Sequence, residues 1–488
     1  MNISGEKSHP AEKFLKKFFS DCADFMERKV NFGEGGHISA TLFWMEGLVG
    51  SIDLAETVLR PLGENRALAA ADSAQRCAEL ILTGAVYNVT ARRRETVEEM
   101  REDILNGFAV LLLPDAALCF DSRSQIHRSI GEPKLDKGIL GPKEAFTEVL
   151  RINTGLLRRR LRTAELKNTE LCIGRRSGTR VSVLYIDGIA RSENAARLLK
   201  ALRAIDIDGV TALGDIVEYI SPRRRSMFPQ FLYTERPDRL ARLLLQGRVA
   251  LLIDGIPQAL ALPCTLPELM RVSEDRSSHA AVASSLLLLR WCALLTSLLL
   301  PALYVAVAMY HQEMIPYRLL ESIIESKQNV PFSTGAEILG MLAAFGLLQE
   351  AGLRLPEQAG TTVSIIGTLI VGQSAVEARV VSPIAVIVVA FAGIAGYTQP
   401  NQQLGAAIRI WRFLLSLCTL FLGLYGLMVG LVVLLWRLCS MESCGVAYLY
   451  PLADGGPGRL SDALLRLPLR MKKYRDEPLR GRNRRQQA

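Results

Sequence analysis

The chain has 488 residues, 49% of them hydrophobic and 22% charged, with a formal net charge of +9. That length exceeds one ordinary domain, and a mean hydropathy of +0.20 is high for a soluble protein, while the charge content excludes a pure membrane bundle. Charged residues concentrate before Arg290 and after Arg459, and the long apolar runs lie between them, so the pattern predicts a soluble half and a membrane half.

The first thirty residues set Lys13, Lys16, Lys17, Asp21 and Glu27 among Phe14, Phe18, Phe19 and Phe25. This is an amphipathic pattern and not the apolar core of a secretory signal, so 1–36 is expected to be an N-terminal helix covering its own domain. The following segments repeat. ISATLFWMEGLVGS at 38–51 parallels TRVSVLYIDGIARS at 179–192, and ILNGFAVLLLPDAAL at 104–118 parallels LLQGRVALLIDGIPQAL at 244–260. The nearly equal offsets of 141 and 140 residues predict two related α/β subdomains, at 37–135 and 176–280, joined by a linking helix within 136–175.

In that linker Phe146, Val149, Leu150, Ile152, Leu156, Leu157 and Leu161 recur at helical spacing. Its cluster Arg158, Arg159, Arg160 and Arg162, like Arg223, Arg224 and Arg225, has no interleaved aromatics, so a solvated helix face or an inter-subunit salt-bridge surface is expected and nucleic acid is not expected as a partner. Enzymatic activity is not expected either. No GxxxxGK[ST], GxGxxG after a strand, GxSxG or HExxH occurs, and the acidic-glycine dipeptides at Glu46, Asp187 and Asp254 read as turns at strand ends. His9, His37, His127, His279 and His311 are scattered and the nine cysteines form no CxxC pair, so no metal, cofactor or disulfide framework is predicted.

An all-α membrane bundle is expected over 285–438. About twenty apolar residues span a bilayer core, and Trp291–Tyr310 and Phe413–Trp436 meet that requirement, with Arg290 able to snorkel to the interface. The stretches 338–348, 363–376 and 380–395 are shorter, rich in small residues or flanked by polar ones, as helices shielded by neighbours or lining a hydrated path would be. Gly360, Ser364, Thr368 and Gly372 lie four residues apart on one small, weakly polar face. That face reads either as a close-packing surface or as a pore-lining stripe, with Val371 or Ile365 as a dewetting gate. The heptapeptide YHQEMIP at 310–316 ends the first span. His311, Gln312 and Glu313 there form either a polar helix cap or the ring at a channel mouth, and Pro316 opens an amphipathic interfacial helix. The strongly basic tail, 439–488, with no signal peptide, predicts both ends in the cytoplasm and an even number of crossings, met by four full spans plus one interfacial or re-entrant helix.

LPALYVAVAMYHQEMIP at 300–316, VPF at 330–332, LLQEAGLRLP at 347–356, VSIIGTLIVGQSAVEARVVSP at 363–383 and CGVAYLYPLA at 444–453 resemble the GerA family of bacterial spore germination proteins, the A subunits of nutrient germinant receptors. The likeness extends through GRRSGTRVSVLYIDGIA at 174–190 and YTERPDRLARLLLQGRVALLIDG at 233–255, covering roughly 38–453. It implies an integral protein of the spore inner membrane, in contact with membrane lipid, with its soluble region facing the spore core. It also implies a transporter-like B subunit that binds the germinant, a lipoprotein C subunit, and a homo-oligomer, a pentamer, around a nutrient-gated ion-conducting path. A stage V sporulation membrane protein acting with the dipicolinate channel is the alternative within the same resemblance, and a non-conducting scaffold is the alternative in mechanism. Gln399, Gln402 and Gln403 depart from the family pattern and the tail after Asp454 lies outside it, so partner choice does not carry over.

Overall fold

Alternating and fully apolar runs in the first half of the chain become two five-stranded antiparallel sheets of identical topology. The structure is a computed structural model and describes residues 10–32, 36–88, 90–124, 133, 141–221, 226–328, 330–354, 372–453, 457–479 and 481–486. It forms two units, one of residues 1–224, 231–263 and 472–488, the other of 225–230 and 264–471.

In the first unit, β1 (Phe25–Phe32), β2 (Ile38–Met45), β3 (Arg92–Arg94), β4 (Phe108–Leu112) and β5 (Ala117–Asp121) lie in the order β1-β2-β4-β5-β3. The second sheet repeats this as β6-β7-β9-β10-β8, with β6 (Leu166–Ile173), β7 (Thr179–Ile186), β8 (Leu232–Thr234), β9 (Val249–Ile253) and β10 (Ala259–Leu262). Equivalent strands start 140 to 142 residues apart, Phe25 against Leu166, Arg92 against Leu232 and Ala117 against Ala259. The region is therefore the expected pair of related α/β subdomains. Period-two alternation places Ile38, Ala40 and Leu42 against Val58, Leu62 and Cys77 of the helical stretch after β2. Phe43 and Met45 face the other way, onto Leu15, Phe19, Met100 and Ile104. With both faces covered by helices, the central strands β4 and β9 are apolar throughout.

Two sequence expectations change here. The N-terminal helix spans only Pro10–Phe18, and residues 25–32 are strand β1, paired with β2 over its whole length. The phenylalanines that suggested one helical face instead stack through the intervening turn, Phe19 on Phe25 at 4.6 Å and Phe25 on Phe43 at 5.6 Å between ring centroids. The linking helix is confined to Leu150–Arg160, and 166–173 is the edge strand of the second sheet. The end of the basic tail packs onto the second subdomain. Tyr474 bridges Arg485, and the amides of Gly481 and Asn483 donate to the carbonyls of Ile189 and Gly188 at 2.6 and 2.8 Å, satisfying acceptors left open at the Asp187-Gly188 turn.

The second unit is helical: Ala280–Tyr310, Tyr317–Lys327, Thr334–Arg354, Gly372–Glu377, Pro383–Tyr397 and Gln402–Cys439. The first and last of these are long and apolar enough to cross a bilayer. The last does not run straight, however. Gly423 has φ 59° and ψ −140°, a region open only to glycine. Gly426 then lies against the carbonyl of Cys418 and Gly430 against the side chain of Leu415, so 402–422 and 424–439 form an antiparallel helical hairpin. The expected single span Phe413–Trp436 is thus two arms. The hairpin tip sits beside the end of the first long helix, where the Tyr310 hydroxyl donates to the Leu420 carbonyl at 2.6 Å. Exposed Ile387, Phe391 and Ile394 recur at helical spacing on Pro383–Tyr397, an apolar stripe suited to acyl chains. Arg290 pairs with Asp275, which precedes the first long helix, through two hydrogen bonds of 2.8 and 2.9 Å.

Candidate functional site

Of the pore-stripe residues, Gly360, Ser364, Thr368 and Val371, with Ile365, lie outside the described residues. Gly372 opens the short helix Gly372–Glu377, with open space where a side chain would stand. The channel-mouth residues are placed at the C-terminus of Ala280–Tyr310. Gln312 donates to the Ala308 carbonyl at 3.0 Å, and the His311 ring lies 3.4 Å from the Glu313 carboxylate. Within one chain these contacts are those of a helix cap. The Glu313 carboxyl is held below the usual range by its own backbone amide first and by His311 second.

The second unit also buries polar groups that sequence reading passed over. Glu337, in the first turn of Thr334–Arg354, has a fully buried side chain that accepts from the backbone amide of Ser382, the residue capping the helix Pro383–Tyr397. Lys327, at the end of the amphipathic helix, donates to the Thr334 hydroxyl and lies 3.5 Å from the Glu337 carboxylate, with the buried Tyr304 hydroxyl beside them. Along the first arm of the hairpin Arg412, Ser416 and Thr419 are buried at successive turns. The two hydroxyls bond back to the carbonyls of Arg412 and Leu415 at 2.9 and 2.7 Å. A polar flank on an apolar segment reads in sequence as the segment's end. Only the packing shows that Glu337 turns inward.

In the first unit the arginine cluster is only partly solvated, with Arg162 exposed. Arg158 is fully buried and donates to both oxygens of Asp24 at 2.7 and 2.9 Å. Arg160 pairs with Glu144 at 2.5 Å, and Arg151, one turn earlier than the cluster, spans Glu46 and Glu170 at 3.1 and 2.5 Å. Burial pushes the Glu170 carboxyl up, and Arg151 opposes that shift. The Glu46-Gly47 turn meets this helix closely. Gly47, at φ +86°, would put a side-chain carbon 2.7 Å from the Arg151 carbonyl, so no other residue fits without a shift. Arg159 and Arg162 instead line a cleft of about 730 Å³ with Arg123, Asp121, Asn88 and Ser122. Arg123 donates to Asp121 at 2.6 and 2.8 Å and holds its carboxyl below the usual range. The cleft thus gathers three guanidinium groups and two carboxylates, Asp53 and Asp121, that sequence spacing does not connect.

The chain is similar to known proteins along nearly its whole length. Residues 13–478 match the family described as Bacillus/Clostridium GerA spore germination protein, a span that extends past both ends of the resemblance seen in sequence. Spore germination protein KA of Bacillus subtilis (strain 168) is 33% identical over 456 residues, covering 93% of this chain and 83% of that one. A second protein of that organism, the uncharacterized membrane protein YfkQ, is 36% identical over 450 residues, covering 92% and 86%. The crystal structure of the N-terminal domain of the A subunit of the Bacillus megaterium spore germinant receptor GerK3 aligns with 54% of this chain and 98% of its own, at 24% identity and a TM-score of 0.40. The match along nearly the whole chain and the curated relatives make the assignment: the chain belongs to the GerA family of spore germination proteins.

Proposed function

We propose that this protein is the A subunit of a nutrient germinant receptor, an oligomeric membrane protein whose helices enclose an ion-conducting path opened when nutrient binds to the complex. Its partners are the transporter-like B subunit and the lipoprotein C subunit, and its copies assemble as a pentamer in the spore inner membrane, with the α/β region on the core side. Support comes from the family together with one observation: apolar helices that bury Glu337, Arg412, Ser416 and Thr419 away from solvent. Charged and hydroxylic side chains inside membrane helices are costly, and they recur where ions pass. A closed state must dominate in dormancy, and about 5.5 kcal/mol of differential binding takes a 1:99 balance to 99:1.

The stripe Gly360, Ser364, Thr368, Val371 and Gly372 is the pore lining in this reading, and His311, Gln312 and Glu313 surround its mouth. Full-length protein in liposomes, with its partners, is expected to pass monovalent cations when nutrient is added. Thr368→Ala and Val371→Ala are expected to change germination in the absence of nutrient. Liposomes that stay sealed under nutrient, with both variants behaving as wild type in spores, would leave the scaffold reading in its place.

A further inference from the structure

Arg409 and Arg412 stand three positions apart on the first arm of the hairpin, so both lie on one face. Arg412 is only 3% exposed. One of its terminal nitrogens donates to the Ala392 carbonyl at 3.1 Å and lies 3.5 Å from the Ser297 hydroxyl, while its Nε has no hydrogen-bond partner. Arg409 donates to the Gln349 side-chain carbonyl at 3.1 Å. Among the described residues neither arginine forms an ion pair. The two line a cleft of about 360 Å³ between this arm and Thr334–Arg354, walled by Leu342, Gly346 and Phe413. Glu350 also lines the cleft.

Two guanidinium groups that stay charged share the cleft with one carboxylate, Glu350, so a net positive charge stays uncompensated among apolar helices. An anion that reaches the cleft from outside balances that charge. We infer that the Arg409–Arg412 cleft binds the phosphate of an anionic phospholipid. The planar forks of arginine match a phosphate with paired hydrogen bonds, a geometry that ammonium groups lack. The walls select a lipid over a free ion, because Ile410 and Phe413 at the cleft are exposed and apolar, as a surface carrying an acyl chain would be. Depth agrees as well. Trp411, next to Arg412, stacks on Phe228 at 6.4 Å, and exposed Trp436 lies on the opposing arm, the kind of aromatic pair found at the headgroup level. Basic pockets between helices at that level are recognised headgroup sites. The inference goes beyond the conducting role and requires only that these helices lie in a bilayer.

The test uses full-length protein purified in neutral detergent. Lipid retained per chain is read by native mass spectrometry, and the melting temperature is read with phosphatidylglycerol, phosphatidylcholine or inorganic phosphate added. The expected result is about one phosphatidylglycerol retained per chain, with a rise in melting temperature that neither of the other additives reproduces. Arg409→Gln with Arg412→Gln is expected to weaken that retention at least tenfold, and Arg412→Lys, which keeps the charge and the packing, by an intermediate factor. Arg318→Gln, on the amphipathic helix, is expected to change nothing. Equal stabilisation by phosphatidylcholine, equal stabilisation by inorganic phosphate alone, or undiminished retention in the double variant and in Arg412→Lys would each overturn the assignment.

Discussion

Arg158 and Asp24, 134 positions apart, meet as a fully buried bidentate pair at 2.7 and 2.9 Å. Asp24 directly precedes β1 of the first sheet, and Arg158 belongs to the helix that leads to the second, so the pair ties the two subdomains' connecting segments together. Burial alone lowers the guanidinium's proton affinity, but the Asp24 charge and hydrogen bonds more than offset it and the net shift is upward. Removing one partner strands the other charge in the interior. Asp24→Asn is therefore expected to cost about 3–5 kcal/mol, read as a lower denaturant midpoint of the full-length protein in detergent. Combining it with Arg158→Met is expected to recover part of that loss, since no buried charge then remains unpaired. An unchanged midpoint in Asp24→Asn would refute the role of the pair.

A pH dependence follows from Asp121, whose carboxyl is held low chiefly by its hydrogen bonds to Arg123. A group with a depressed folded-state pKa contributes stability that is complete above its unfolded value, about 3.9, and is lost as pH falls through the folded value. Arg123 is more than half exposed, so solvent screening limits the effect to roughly 1 kcal/mol or less. Arg123→Gln is expected to be less stable than wild type at pH 7 by that amount. The difference should shrink as pH falls below the unfolded value and vanish once Asp121 is protonated in both proteins. Denaturant midpoints across that range check the sign. A gap that persists undiminished in acid means the arginine acts through packing and not through charge.

What could be read ahead of the structure depended on how local the signal was. The duplicated architecture was legible because β2 and β7 carry the same alternation and end on an acidic-glycine turn, features set within ten residues. The N-terminal strand was not, because Phe14, Phe18 and Phe25 fall at helical intervals while Phe19 stacks on Phe25 across a turn. Burial of Arg158 was beyond sequence reach, since it depends on a carboxylate far away in the chain. Glu337 misled for a related reason: its partner amide, at Ser382, lies 45 positions on, and a lone acid beside an apolar stretch looks like a border. The clefts that collect Arg123 with Arg162, and Arg409 with Leu342, join segments with no shared pattern.

The reversal at Gly423 was legible in principle from length. Thirty-eight residues of continuous helix, Gln402–Cys439, extend about 57 Å, nearly twice the roughly 30 Å hydrocarbon core. Folding back solves the mismatch, and it brings Leu415 beside Gly430. On an unbroken helix those two positions would stand about 22 Å apart. Leu415→Cys with Gly430→Cys is therefore expected to form an intrachain disulfide on mild oxidation of protein in membranes. Gly423→Ala forces a side chain into a backbone region that excludes it, and toward the Tyr310 ring at 2.8 Å, for a cost of about 1–3 kcal/mol. It is expected to lower both the cross-linking yield and the amount of protein in the membrane. Absence of the cross-link, together with normal abundance of Gly423→Ala, would require one straight helix, and the Tyr310–Leu420 hydrogen bond at the tip would lose its structural basis.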